Sequence, residues 1–183
     1  MSFVPDVPPE DFAAELQYAV TLDGGSYCRT ASIFHKMAHS PAVFLALADA
    51  TSSTLRGMKL DPELRELAVC AVTSLNQATY PYGRHVQLSQ KLGIDGEKLL
   101  ALPVGDRHPI FSDKERAVLR FTRELTEQSQ VSAETKAWVA DHLDHVERVE
   151  LAWTVAFYNA VSRLTNACEV ELETGPAPGV ALR

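Results

Sequence analysis

Within residues 61–93, DPELRELAVCAVTSLNQATYPYGRHVQLSQKLG, two side chains have the chemistry to move protons: Glu66 and His85. A carboxylate inside an apolar run is a candidate general acid or base, because burial disfavours its charged form. Imidazole takes and gives a proton near neutral pH. Tyr80 and Arg84 stand four apart and share a helix face, where a phenol and a guanidinium could hold a carboxylate or an enolate. Tyr82 lies between them. Asn76 closes the apolar run; it can end a helix, and it could also hydrogen-bond a substrate. Plainer readings compete with each of these. Glu66 near a helix start is favoured by the macrodipole even if it faces water. His85 could donate to a backbone carbonyl in a packed helix pair. The tyrosines could be packing aromatics and Arg84 a surface charge.

Other chemistries find less support. Cys28, Cys70 and Cys168 are far apart and contain no C-x-x-C pair, which suits a reducing cytosol. Cys70, one helical turn from Glu66, reads as a small buried hydrophobe. His35 and His39 share a face, and His142 and His145 lie close together with Asp141 and Asp144 beside them. Neither pair has the third ligand that a zinc motif requires, so no metal is expected. There is no phosphate-binding glycine loop, no dinucleotide fingerprint and no G-x-S-x-G.

The elements that must position Glu66 and His85 are two helices. Asp61 can cap the first, and Pro62 suits its first turn. Leu64, Leu67, Ala68, Val69, Cys70, Ala71, Val72 and Leu75 make it apolar on almost every side, so it belongs in an interior. The second starts near residues 79–81 and stops at Gly93. A short antiparallel hairpin would bring its first turns beside the preceding helix, but does not by itself bring His85 to Glu66. Residues 1–8 form a Pro-rich arm, and a helix is predicted from Pro9 through EDFAAELQYAV until the break at residues 23–26. Further helices are predicted over 30–39, from Pro41 to before Gly57, and briefly over 96–102. A capping box, Ser112 with Glu115, opens the next, which runs to about Gln128. Ser132 can cap another, and 145–166 is the last long one. Residues 174–183 read as a Pro/Gly tail. Only EVELE, residues 169–173, alternates at period two, so the fold class is all-α.

The chain of 183 residues is natural for one domain with a sizeable core. Its 46% hydrophobic and 22% charged content fits a soluble globular protein. A net charge of −7 with scattered Lys and Arg argues against a nucleic-acid groove. No secretory signal and no membrane-spanning stretch are evident, so a cytoplasmic location with no membrane partner is expected. Two helices apolar on nearly all faces suggest that one lies against a second subunit.

Arg65-Glu66, then Asn76, Tyr80, His85 and Gly93, resemble the carboxymuconolactone decarboxylase and alkyl hydroperoxidase D superfamily. The likeness extends over about residues 30–172, including FSDKERAVL and FYNAVSRL. The hydroperoxidase branch carries a Glu, a C-x-x-C pair and a His; on this chain those positions are Glu66, Ala78, Pro81 and His85. Both cysteines are thus missing, and Y-P-Y-G-R-H is similar to the Y-E-W-x-x-H form of a cysteine-free branch. The resemblance implies an alkyl hydroperoxidase D-like helical fold and a homo-oligomer, a trimer or hexamer. It implies cofactor-free acid–base chemistry, of lyase or isomerase type, on a small carboxylated or lactone-like substrate. Glu66, His85 and Tyr80 would be catalytic; Arg84, Tyr82 and Asn76 would bind substrate. A thiol peroxidase would need a thiolate that Ala78 and Pro81 cannot supply. A non-catalytic binding or scaffold protein on the same fold is the other alternative.

Overall fold

The start signals in the sequence act where they stand. Asp61 accepts hydrogen bonds from the backbone N–H groups of Glu63 and Leu64, with Pro62 in the first turn. Ser112 and Glu115 close a reciprocal capping box. Ser132 caps the helix after it through Thr135 N. Gly93 ends its helix with φ 91°, a conformation in which a side chain would be strained.

The computed structural model describes residues 2–17 and 27–173, and among these every regular element is helical. In chain order they are α1 (Tyr27–Thr30), α2 (Ser32–Met37), α3 (Pro41–Arg56), α4 (Pro62–Leu75), α5 (Thr79–Leu92), α6 (Gly96–Ala101), α7 (Asp113–Gln128), α8 (Ala133–His142) and α9 (His145–Ala167). A 3-10 turn, Gly105–Arg107, interrupts the loop between α6 and α7.

Two expectations are corrected. The helix predicted from Pro9 begins as a 3-10 turn, Pro9–Asp11, because Phe12 is extended at φ −60°, ψ 135°. Residues 14–17 are helical again. The helix predicted over 30–39 is two pieces, α1 and α2, separated by Ala31 in extended conformation. EVELE, the one stretch alternating at period two, is irregular, in keeping with the all-α reading, and Glu169 within it has φ 53°. The break at residues 23–26 and the tail at 174–183 lie outside the described residues.

Contacts divide the chain into two units, where the sequence suggests one domain: Met1–Met58 with Thr165–Arg183, and Lys59–Leu164. In the first, Phe34 packs on Phe44 with ring centroids 4.9 Å apart, and Phe12 meets Phe44 edge-on. The N-terminal arm is pinned there by Lys36, whose Nζ donates to the Val4 carbonyl and pairs with Asp6. In the second unit α4 is the centre, packed against α5 and α7. Residues 64–73 of α4 are all buried, as its all-round apolar pattern predicts. Leu67, Cys70 and Ala71 join Ile94, Leu99, Leu102, Phe111 and Leu119 in one apolar cluster. Truncating a side chain such as Leu67 there would cost about 3 kcal/mol. Among the described residues no helix is long and apolar enough to cross a membrane.

Candidate functional site

Glu66 occupies the second turn of α4 and is 0% exposed. A buried carboxylate needs partners for both oxygens. Oε1 accepts from Nε of Arg65 at 3.1 Å, and Oε2 lies 2.6 Å from Nδ1 of His85. Arg65 and His85 are themselves only 3% and 7% exposed. Three ionisable groups thus share a dry position between α4 and α5. The sequence reading leaves the meeting of Glu66 and His85 open; the structure brings them into direct contact.

The contact fixes the imidazole. With the carboxylate ionised it can only accept, and Nδ1 then carries the hydrogen of this contact. The remaining nitrogen, Nε2, makes no hydrogen bond among the described residues. In the neutral ring Nε2 then holds a lone pair. Tyr158 of α9 lies edge-on to the ring, with centroids 4.7 Å apart and planes at 83°. That aromatic wall restricts rotation of the imidazole about its long axis.

One turn along both helices sits a second contact. Cys70 Sγ is 3.5 Å from Ser89 Oγ, and each of the two pairs spans nineteen residues, Glu66–His85 and Cys70–Ser89. The pairs advance together along α4 and α5, which is not the register of a matched antiparallel hairpin. Burial pushes the Cys70 thiol up to about 12; the Ser89 hydroxyl opposes this, and the nearby Glu66 charge adds to it. At neutral pH this sulfur is a thiol, not a nucleophilic thiolate. Cys28 and Cys168 are also buried and unbridged.

The remaining sequence candidates are placed as follows. Tyr80 is buried in the first turn of α5. Tyr82 packs against the apolar cluster, and burial, with the nearby Cys70, raises its phenol above the ordinary value. Arg84 is half-buried beside His85 in sequence. Asn76 ends α4, and its amide nitrogen donates to Asn159 Oδ1 at 3.0 Å. Asn159 also donates to Thr126 and receives Arg163, so Asn76 is drawn into a set joining α4, α7 and α9. The histidine pairs serve other partners. In the first unit the Nε2 atoms of His35 and His39 contact the carbonyls of Arg29 and Pro5, and in the second His142 binds Asp113. No cluster of three or more metal-ligating side chains occurs among the described residues.

Sequence reasoning missed Arg65 as a partner of Glu66 and Tyr158 as a neighbour of His85. The first could have been found: an arginine inside an all-apolar run cannot be left without an anion. The second had no local signal, since Tyr158 is one aromatic among several in the last long helix.

The class that this architecture defines is the alkyl hydroperoxidase D-like fold. An uncharacterised peroxidase-related protein from Ralstonia eutropha, described as an alkylhydroperoxidase AhpD core, superposes with TM-score 0.73 at 19% identity, covering 93% of this chain and 90% of that one. A peroxidase-related protein from Silicibacter sp. gives 0.73 at 16% identity over 98% and 92%. The debrominase Bmp8 gives 0.76 at 15% identity over 94% and 93%. Its cysteine-to-alanine variant has been captured with 2,3,4-tribromopyrrole. At such identities the likeness is one of fold alone. No protein-family model and no curated protein matches the sequence. The helical fold that the resemblance implied is therefore the fold found.

Proposed function

We propose that this chain is a cofactor-free acid–base enzyme of carboxymuconolactone decarboxylase type, a lyase or isomerase acting on a small carboxylated or lactone-like metabolite. The observation that carries the reading is the 2.6 Å contact between Glu66 Oε2 and His85 Nδ1, with Nε2 making no hydrogen bond among the described residues. What favours a functional role is the far ring nitrogen rather than the burial alone: a carboxylate that orients an imidazole with an unused nitrogen is arranged for proton transfer.

His85 is the proton carrier. Its Nε2 lone pair takes a proton from carbon adjacent to a carbonyl, and the electron pair left behind delocalises onto the carbonyl oxygen as an enolate. In the isomerase form the same Nε2–H returns the proton at a different carbon. In the lyase form no C–H proton is taken first: carbon dioxide leaves from a carboxylate β to the carbonyl, and its electron pair passes to the carbonyl oxygen as an enolate. Protonated Nε2, recharged from water, then gives its proton to that carbon. Glu66, with no exposed surface, does not meet the substrate; it holds Nδ1–H in place and balances the imidazolium while it lasts. Arg84 binds the substrate carboxylate and Tyr80 offers a proton to the developing oxyanion. Cytoplasmic location and assembly as a trimer or hexamer belong to this proposal. Exposed Val146, Val149 and Trp153 on α9 are the apolar surface that a second subunit would cover.

The names of two fold neighbours favour a peroxidase, but a thiol peroxidase must present a thiolate to the peroxide oxygen. Cys70 is fully buried and its thiol lies near 12. The deciding experiment is deuterium uptake from heavy water by a panel of small carboxylated lactones and unsaturated acids, followed by proton NMR. The wild-type chain should label at least one of them, and His85→Gln should lower that rate by about a hundredfold or more. Equal labelling by His85→Gln, or peroxide turnover that disappears in Cys70→Ala, would sink the proposal.

A further inference from the structure

The proton transfer described above gives work to Glu66 and His85 but none to Arg65. Yet Arg65 is as buried as either, and its Nε fills the Glu66 oxygen that His85 does not. Burying a guanidinium is costly, and orientation of the imidazole needs only Oε2. The Arg65 charge, placed on the same carboxylate as the ring, bears on the state of His85.

A lone buried carboxylate draws a counter-charge from the nearest group able to provide one. Here that group would be the imidazole, 2.6 Å away. An imidazolium donates from both nitrogens and has no lone pair, so His85 would be an acid with nothing to accept a proton. An arginine is permanently protonated and can match the carboxylate without involving the ring.

We propose that Arg65 is a positioning residue of this site: it is the standing counter-ion of Glu66, and by occupying Oε1 it leaves His85 uncharged with Nε2 open to a substrate proton. This rests on the acid–base reading of the same site and specifies what makes the histidine a base.

The other groups on the elements around this pair do not supply that charge. From α4 the next turn presents Cys70, which stays a neutral thiol. From α9 comes the Tyr158 ring. On α5 itself Tyr82 stays a phenol, Ser89 pairs with Cys70, and Arg84 brings no negative charge. On α7, which packs against α4, Arg123 is bound to Asp106, and Arg120 to Glu124 and Glu134.

The test is ring nitrogen NMR on the full chain labelled with ¹⁵N-histidine, at pH 7, with Gln substituted at the other histidines one at a time to assign His85. Wild type should show the neutral pattern, protonated at Nδ1 and bare at Nε2. Arg65→Gln should convert His85 to the imidazolium pattern, and Arg65→Lys should restore the neutral one. With the labelled acids as substrates, the acidic limb of the rate profile should move up by about one pH unit in Arg65→Gln. A His85 ring that stays neutral in Arg65→Gln overturns the proposal. Should that variant not fold, the wild-type spectrum decides: an imidazolium at pH 7 overturns it as well. The spectra need no substrate, so absence of deuterium uptake would end the acid–base reading without touching this result.

Discussion

Two buried carboxylates in the same unit, Glu66 on α4 and Glu124 on α7, make an instructive pair. Each is fully paired, and each has an arginine on one oxygen. Glu124 accepts from Arg120 Nε and Thr135 Oγ1 on Oε1 and from the Ser132 backbone on Oε2. Burial pushes its carboxyl up, but the bonds from Ser132, Thr135 and Arg120 outweigh it and hold the group at about 2. The partners of Glu124 are donors fixed in place: the Ser132 backbone, the Thr135 hydroxyl, and Arg120, whose other nitrogens are spent on Glu134. Glu124 fastens the start of α8 to α7. Glu66 differs in one respect. Its second partner is an imidazole whose far nitrogen makes no hydrogen bond among the described residues. Burial of a carboxylate is therefore not the mark of a reactive position; an unspent atom at the end of its partner is.

Breaking the Glu66 side of this contrast should give the largest effect. Replacing His85 by Gln should reduce deuterium uptake by about a hundredfold or more while urea unfolding stays two-state. Glu66→Gln keeps the shape but lets the ring adopt either tautomer, and uptake should fall by about ten- to a hundredfold. A Glu66→Gln variant with wild-type rate would reduce Glu66 to the same structural role as Glu124.

The Glu124 side should fail differently. Glu124→Ala removes the buried acceptor of Arg120 Nε, the Ser132 N–H and the Thr135 hydroxyl, and should lower unfolding stability by about 3 kcal/mol in a urea titration. Uptake per folded molecule should not change. Loss of activity in the folded variant would erase the distinction between the two carboxylates.

Acid should reveal Glu124 through stability. Its carboxyl falls from the ordinary 4.5 to about 2 on folding. The unfolded chain therefore binds this proton at higher pH, and the stabilisation is full above 4.5 and fades as pH falls towards 2. The urea midpoint should drop across that window in wild type, and Glu124→Gln should flatten that part of the slope.

Cys70 should give the smallest change. Its thiol, pushed up to about 12, should react with a disulfide reagent at pH 8 only as the chain unfolds. Cys70→Ala should cost about 1 kcal/mol and leave uptake within twofold of wild type. Fast labelling of the folded protein would reopen a thiol mechanism.

Local sequence was enough for the elements. Asp61 with Pro62, Ser112 with Glu115, Ser132 and Gly93 start or stop helices through bonds within a few residues, so their meaning does not depend on distant parts of the chain. The apolar run of α4 likewise announced its burial, because a helix with no polar face has nowhere else to go. Where local rules gave a continuous helix over 30–39, Ala31 adopts an extended conformation that no residue type there signals.

The site was half legible. The residue types and the spacing of Glu66 and His85 were on view in the chain. What only the tertiary structure decided is which oxygen meets which nitrogen, that Arg65 turns inward to share the carboxylate, and that Tyr158 closes on the ring from α9. The physical reason is that a proton-transfer site is defined by partners within about 3 Å, and that distance is set by how helices pack, not by what any one of them contains.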